Sequence, residues 1–309
     1  MLGIRVGIVE REETKKLQDY KNYLKPFSKT LPFADTYVQS VDVGELPKQT
    51  LVDVDLIHLS GDCRASRPGI TLAQNLPNSD KLASKRHAGN RNVFHRDIRK
   101  TFDPVLRRKF LESLVEPEFR ELYSNDADHL FTISHELMHS LGPTKTSKGL
   151  DKKTTLGDYG DAIEEAKADL GGLLMCDYLT KIGKHTQKQF DEIALTWAAG
   201  LLPQEMPSKN QAHAIRKVAM FNYMKGCGAI KFAAGGRISI DKNLFIPSVR
   251  SMLEHIIKLQ LDGDAKKADE FFKKWFVWTD EQEYASKILK SMKPKVYRKL
   301  NFELADKIS

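Results

Sequence analysis

The spacing of apolar residues divides the chain into a short part that contains strands and a longer part built of helices. Residues 51–59 alternate between apolar and polar side chains, which predicts a strand, and residues 70–77 predict a second strand that stops at a proline. The charged, periodic stretch 10–24 predicts a helix before these strands. Residues 93–120 predict another helix after them, with interruptions at two prolines.

Apolar residues recur with helical spacing over most of the remaining chain. Helices are predicted at 127–141, 162–182, 186–200, 210–226, 246–262, 264–278 and 280–291. A hairpin is predicted at 229–240, where Gly235 and Gly236 supply the turn. The pattern predicts a mostly helical α+β protein, with a mixed α/β part over residues 1–120 and a helical part over residues 121–309.

The composition is that of an ordinary globular protein and argues against several classes of function. Hydrophobic residues make up 41% of the chain and charged residues 29%. The net charge of +8 is spread along the sequence, and we interpret the pairs Lys152–Lys153 and Lys273–Lys274 as solvated helix faces, so no nucleic-acid partner is expected. The three cysteines are far apart, which indicates free thiols, and neither a secretory leader nor a membrane-spanning run is found. We therefore expect a cytoplasmic protein with no membrane partner; its oligomeric state is not indicated.

Residues 135–139 read His-Glu-Leu-Met-His and fall late in a predicted helix. Positions i and i+4 of a helix lie about 40° apart in azimuth, so the imidazoles of His135 and His139 can reach one metal ion. Glu136 projects about 100° away from His135, close enough to hold a metal-bound water without being a ligand. The motif alone is only suggestive, because two histidines also stack by chance on amphipathic helices.

A second predicted helix supplies carboxylates at Glu165 and Asp169, again four residues apart. In a gluzincin site the glutamate binds zinc, while an aspartate one turn later accepts the N–H of a ligand histidine. Five small residues permit close approach of the two helices: Ala162, Ala166, Ala168, Gly171 and Gly172. The alternative is a solvated acidic helix face. Because both motifs occur in order and at workable spacing, we predict one Zn²⁺ per chain, bound by His135, His139 and Glu165.

These stretches also resemble a known family. Residues 135–143 and the segment Glu-Glu-Ala-Lys-Ala-Asp at 164–169 resemble the dipeptidyl-peptidase III family of zinc metallopeptidases, in particular the branch fused to Nudix domains in plants and standing alone in microbes. The stretches 74–78, 213–230 and 262–268 are similar to further parts of that family. The similarity covers roughly residues 8 to 305.

The resemblance implies roles for residues that spacing alone does not assign. Glu136 is implied to be the general base and acid, Glu164 a carboxylate beside the zinc ligand, and His213 a hydrogen-bond donor to the tetrahedral intermediate. Asn75 and Asn78 are implied to hold the substrate's backbone or amino terminus, although turn formation around the intervening proline is an alternative for both.

The family fold that the resemblance implies has two lobes with substrate in a cleft between them. One lobe is a smaller, mixed β-barrel-like structure that includes the substrate-binding strand, and the other is a helical, gluzincin-like zinc lobe. A C-terminal segment of this chain could return to the first lobe.

Two features depart from the family pattern. Animal members have six residues in the histidine motif, whereas this chain has five. Members also usually carry a Glu-x-Tyr segment ahead of a helix like 10–24, which supports substrate binding and the oxyanion. Here the same spacing is found only at 121–123, in a different part of the chain. We therefore expect the metal centre to be present and part of the substrate-holding segment to be absent.

Three functions are consistent with the sequence. The leading hypothesis is a zinc-dependent metallopeptidase that cleaves short peptides, with dipeptide release from the amino terminus as one form. A zinc hydrolase of a non-peptide amide or ester uses the same water activation. A zinc-bearing binding domain with weak or no catalysis is the third. The missing Glu-x-Tyr segment favours it, whereas the presence of Glu136 and His213 argues against it, because Glu136 is not a ligand and a binding domain has no chemical need for it.

Overall fold

The computed structural model describes residues 3–39, 51–61, 73–76, 91–95 and 104–292, apart from 204, 209, 210 and 234. The strands are β1 (Gly3–Val9), β2 (Leu51–Gly61), β3 (Ala73–Leu76), β4 (Arg91–His95), β5 (Ile230–Phe232) and β6 (Ile238–Ile240). The helices are α1 (Arg11–Gln18), α2 (Lys21–Ser28), α3 (Pro104–Leu114), α4 (Asn125–Met138), α5 (Lys152–Thr155), α6 (Gly160–Lys181), α7 (Gln187–Gly200), α8 (Ala212–Gly226), α9 (Lys242–Asp262), α10 (Ala265–Trp275) and α11 (Asp280–Ser291).

The described residues divide into two compact units. One contains residues 3–25 together with the strands β2, β3 and β4, and the other contains residues 26–39 and 107–292. The mostly helical α+β class predicted from the sequence is confirmed. A functional division at residue 120 stays a prediction.

The first unit is built on a four-stranded sheet of order β1-β2-β4-β3. Strand β1 is antiparallel to β2, β2 is parallel to β4, and β4 is antiparallel to β3. Leu51, Leu56 and Phe94 are fully buried in this unit. Helix α1 packs on β2, where Thr14 and the Asp53 backbone N–H form a hydrogen bond of 3.1 Å. These described strands form an open sheet and not a closed barrel.

The second unit is organised around α6, which packs against α4, α7, α8 and α9. Most of its residues are buried, and they lie on every face of the helix, as expected for the central helix of a helical core. The antiparallel pair β5–β6 is the predicted hairpin. Among the described residues, no helix is both long and apolar enough to cross a membrane.

Several predicted elements differ from the structure. Residues 93–95 are strand and not helix, because β4 pairs with both β2 and β3 and Phe94 is fully buried. The helix expected over 10–24 is two helices, since the backbone hydrogen bonds near Tyr20 change to an i→i+3 spacing. Strand β1 was not predicted; its alternating apolar residues at Ile4 and Ile8 lie largely exposed at the edge of the sheet.

Candidate metal centre

Helix α4 presents the two histidines. It begins after Ser124, whose hydroxyl accepts a hydrogen bond from the Ala127 backbone N–H, and it ends at Met138, so that His139 occupies the C-cap position with helical backbone angles. The prediction that the helix continues to residue 141 is wrong by about one turn. The rings of His135 and His139 lie edge to face with centroids 4.9 Å apart, as the i, i+4 spacing requires.

Helix α6 approaches α4 closely because it has glycines where the two backbones meet. A Cβ at Gly172 would lie 3.0 Å from the His135 backbone nitrogen, and one at Gly171 would lie 2.5 Å from the Met138 side chain. A larger residue at position 171 would displace the Met138 side chain, and one at position 172 would press on the His135 backbone. This close approach brings the carboxylates of α6 level with the imidazoles of α4.

Three side chains converge on one point. His135 Nε2 lies 3.5 Å from Glu165 Oε2, and His139 Nε2 lies 3.8 Å from Glu165 Oε1. Ligand atoms of all three residues lie within 4.8 Å of one another, so this group could hold a metal ion. Two imidazoles and one carboxylate are a donor set that suits zinc with an open coordination position. Glu165 Oε2 is buried and makes no hydrogen bond within the described part of the chain, which is consistent with a role as a ligand atom.

Each histidine is held by a second carboxylate at its other ring nitrogen. His135 Nδ1 lies 2.7 Å from Asp169 Oδ1, and His139 Nδ1 lies 3.3 Å from Glu164 Oε1. An ionised carboxylate only accepts hydrogen bonds, so it places the imidazole proton on Nδ1 and leaves the Nε2 lone pair for a metal. Both Nε2 atoms are the ones that face Glu165.

The sequence did not reveal the cations that surround these carboxylates. Arg216 of α8 lies 3.2 Å from Asp169 Oδ1 and 3.8 Å from Glu165 Oε2. Lys152 lies 3.1 Å from Glu164 Oε2, and Lys167 lies 2.8 Å from Glu164 Oε1. The interpretation of Lys152 as part of a solvated face is wrong, because its side chain is 9% exposed and turns inward, whereas its neighbour Lys153 is 49% exposed.

These contacts decide the charge states in the centre. Burial alone would raise the pKa of Glu165, yet His213, the ligand histidines and Arg216 outweigh it and lower that pKa to about 2. Burial would also raise the pKa of Glu164, but the charges of Lys152 and Lys167, followed by His139, lower it well below its usual value. For Asp169, burial again raises the pKa, but Arg216 together with the hydrogen bond and charge of His135 outweighs it, so the pKa is lowered.

The pKa of His135 is raised although burial, the largest influence, lowers it. The hydrogen bond to Asp169 and the charges of Asp169, Glu165 and Glu136 together outweigh the burial. Glu136 is therefore close enough to the centre for its charge to act on His135, and it is itself buried.

The structure also brings His213 to the centre. Its Nδ1 lies 3.1 Å from Glu165 Oε2, without the alignment of a hydrogen bond, and its side chain is 72% exposed. Asn75 lies in β3, where its backbone pairs with Asn92. The side chain of Asn75 and the whole of Asn78 lie outside the described residues, so the predicted substrate-binding role of both stays a prediction.

Comparison with known proteins gives the fold a name. No protein-family model matches the chain. Two solved structures superpose on 99% of it: dipeptidyl-peptidase III from Caldithrix abyssi, with a TM-score of 0.83 and 23% identity, and dipeptidyl-peptidase III from Corallococcus sp. strain EGB, with a TM-score of 0.78 and 24% identity. This chain has a dipeptidyl-peptidase III-like fold.

The chain spans only part of each protein it matches. It covers 58% and 56% of the two dipeptidyl-peptidase III chains. It is also 28% identical over 306 residues to Nudix hydrolase 3 from Arabidopsis thaliana, a match that covers 97% of this chain and 38% of the plant protein. At these identities the solved structures establish the fold and leave the activity to be argued from the site.

Proposed function

We propose that this chain is a zinc-dependent peptidase that cleaves short peptides, with one Zn²⁺ held by His135, His139 and Glu165. The proposal rests above all on the convergence of the two Nε2 atoms and the Glu165 carboxylate, with each Nδ1 held by a further carboxylate. The dipeptidyl-peptidase III-like fold supports the choice of a peptide over other amides or esters.

Zinc bound by three protein ligands would lower the pKa of a bound water toward neutrality and polarise the substrate carbonyl. In the proposed reaction Glu136 accepts the proton of the attacking water and passes it to the leaving amine. It is suited to this task because it lies on the same turn of α4 as His135, is buried, and is close enough for its charge to act on His135.

His213 and the two asparagines have supporting parts in the proposal. His213 is largely exposed beside Glu165, a position from which its ring could donate a hydrogen bond to the oxyanion of the intermediate. Asn75 and Asn78 are proposed to hold the peptide backbone or amino terminus. Asp169 and Glu164 are proposed to orient the ligand histidines and not to contact the substrate.

A peptide-library digest tests the proposal. Purified protein loaded with zinc is incubated with a mixed library of short peptides, and new termini are read by mass spectrometry. Wild type is expected to cleave, while Glu136→Gln retains zinc and loses about 10²–10⁴-fold in rate, the usual contribution of a general base. Glu165→Ala is expected to lose stoichiometric zinc.

The outcomes separate the alternatives. Absence of stoichiometric zinc in wild type would overturn the metal assignment itself. Zinc binding without cleavage of any library peptide would overturn the peptidase assignment and leave a non-peptide hydrolase or a binding domain. Equal cleavage by wild type and Glu136→Gln would remove Glu136 from the mechanism.

A further inference from the structure

Glu164 is the meeting point of four structural elements in the second unit. Its Oε1 is contacted by Lys167 of the same helix and by His139 at the end of α4. Its Oε2 is contacted by Lys152 of α5 and accepts a hydrogen bond of 2.9 Å from Gln260 of α9. A carboxylate with two donors on each oxygen has little freedom to rotate.

The two lysines make matching connections. Lys167 Nζ donates to the Leu141 carbonyl at 2.7 Å while it lies 2.8 Å from Glu164 Oε1. Lys152 Nζ donates to the Pro143 carbonyl at 2.8 Å while it lies 3.1 Å from Glu164 Oε2. Each ammonium group therefore joins the turn that follows His139 to one oxygen of the carboxylate that holds His139.

This turn needs such support because His139 lies at the very end of α4. The backbone N–H groups of Ser140 and Leu141 bond to the Leu137 and Met138 carbonyls, and the Leu141 and Pro143 carbonyls lie beyond the helix, where they accept from the two lysines. Gly142, with φ +88°, reverses the chain, and a Cβ there would lie 3.1 Å from Lys167 Cδ. The glycine thus leaves room for the fully buried lysine side chain.

We propose that Lys152 and Lys167 are positioning residues for the metal ligand His139, acting as a double bridge between Glu164 and the turn 141–143. The contacts that carry the proposal are with Glu164 and the turn, and not with the ligand atoms of His135, His139 or Glu165. They fix the distance between the end of α4 and the start of α6, and with it the place of His139 Nε2 relative to Glu165. The inference rests on the proposed zinc site but not on the proposed reaction.

The sign of the effect on zinc affinity distinguishes positioning from charge. Removal of a positive charge near the site favours binding of a cation through Coulomb's law. Loss of the bridge disfavours it, and partners that orient metal ligands are typically worth about 10–100-fold in metal affinity. A weaker affinity after removal of a lysine therefore reports lost positioning.

Lys153 is a matched control. It belongs to the same short helix as Lys152, pairs with Asp161 at 2.5 Å near the surface, and its charge also acts on Glu164 and Glu165. Lys153→Met removes a nearby charge without removing a connection to the turn.

The experiment measures zinc affinity of the full chain by competition with a chromophoric chelator, after circular dichroism has established that each metal-free variant is folded. Lys152→Met and Lys167→Met are expected to bind zinc about tenfold or more weakly than wild type. Lys153→Met is expected to bind as wild type does or slightly more tightly. Lys152→Arg, which keeps a donor for both partners, is expected to restore most of the affinity. Co²⁺ substitution adds a spectroscopic readout, because a displaced histidine alters the visible absorption.

Three results would overturn the inference. The first is a folded Lys152→Met that binds zinc as tightly as Lys153→Met. The second is a Lys152→Arg variant no better than Lys152→Met. The third is failure of Lys152→Met to fold while Lys152→Arg folds, which would make the bridge a requirement for folding only. Because no substrate is involved, a wild-type protein that binds zinc but cleaves no peptide leaves this test intact.

Discussion

The pKa values of buried ionisable groups shift in opposite directions in the two halves of α6. In the first half, burial is outweighed by the lysines and His139 at Glu164, and by Arg216 and His135 at Asp169, so the pKa values of both carboxylates are lowered. In the second half Cys176 is equally buried, no cation among the described residues offsets the burial, and burial raises its pKa to about 12. The same helix thus buries charge where partners converge on a site and buries neutral groups where it only packs.

The largest expected effect is on the reactivity of Cys176 in the second half of α6. A thiol whose pKa is raised to about 12 has roughly a thousandth of the thiolate of an ordinary cysteine at a given pH below 8, because each pKa unit is a factor of ten. Cys176 also donates to the Ser134 hydroxyl at 3.3 Å in the contact with α4. Alkylation at pH 8, read by peptide mass spectrometry, is expected to modify the exposed Cys227 and to leave Cys176 unmodified until the protein unfolds. Comparable labelling of both would show that the second half opens readily.

The next largest effect is expected on the free energy of unfolding when Glu164, in the charged first half of α6, is replaced. Glu164→Gln keeps the size of the side chain but leaves the ammonium groups of Lys152 and Lys167 without their counter-ion. Loss of one partner from a buried ionic network costs about 3–5 kcal/mol, and we expect that decrease in the free energy of urea unfolding of the metal-free protein. The exposed Glu270 of α10 provides the control variant Glu270→Gln, which should leave stability unchanged. A loss below about 1 kcal/mol would mean that the lysines are satisfied by the turn carbonyls alone.

A third effect, on stability and on zinc binding, is expected at Gly172, where the two halves of α6 join. Gly172→Ala places a methyl group against the His135 backbone, and overpacking of this kind costs about 1–3 kcal/mol, offset in part by the roughly 1 kcal/mol better helix propensity of alanine. We expect lower stability together with weaker zinc binding, since the helices that carry the ligands must separate. Gly200→Ala, at a helical position with open space around it among the described residues, should instead stabilise by a few tenths of a kcal/mol. A neutral Gly172→Ala would show that α4 adjusts freely.

The local part of this centre was predictable, whereas its surroundings were not. The i, i+4 spacing on two helices found His135, His139, Glu165 and Asp169, because helix geometry fixes their relative directions. Lys152 could not be distinguished from Lys153 by sequence, since their burial depends on where the turn 141–143 packs. Arg216 likewise becomes a partner of Asp169 only through the packing of α8 on α6.

The same limit applies to the fold. The long helix α6 was predicted to within two residues at its start and one at its end, whereas the start of α9 was placed four residues late, next to Pro247, which lies inside the helix. The short strands β1 and β4 were missed. A strand of five to seven residues is decided by its neighbours in the sheet, and β4 lies between two partners that are remote in sequence.

The smallest effect is expected at the far end of α6, where the chain repeats the ion-pair chemistry of the centre in water. Lys181 lies 2.6 Å from Asp177, closer than Lys167 lies to Glu164. The Asp177 side chain is 17% exposed, about as buried as Glu164, but the Lys181 side chain is 68% exposed, whereas that of Lys167 is fully buried. Pairs at i, i+4 with a solvated partner are worth about 0.3–0.5 kcal/mol, because the exposed ammonium group stays hydrated in the folded protein and holding it in place costs side-chain entropy. Lys181→Met is therefore expected to change the free energy of unfolding by no more than that amount, and the change should shrink further in high salt. A decrease in the free energy of unfolding as large as that expected for Glu164→Gln would contradict the comparison of the two halves. It would mean that the distance between the two charges, and not their removal from water, determines how much an ion pair on this helix stabilises the protein.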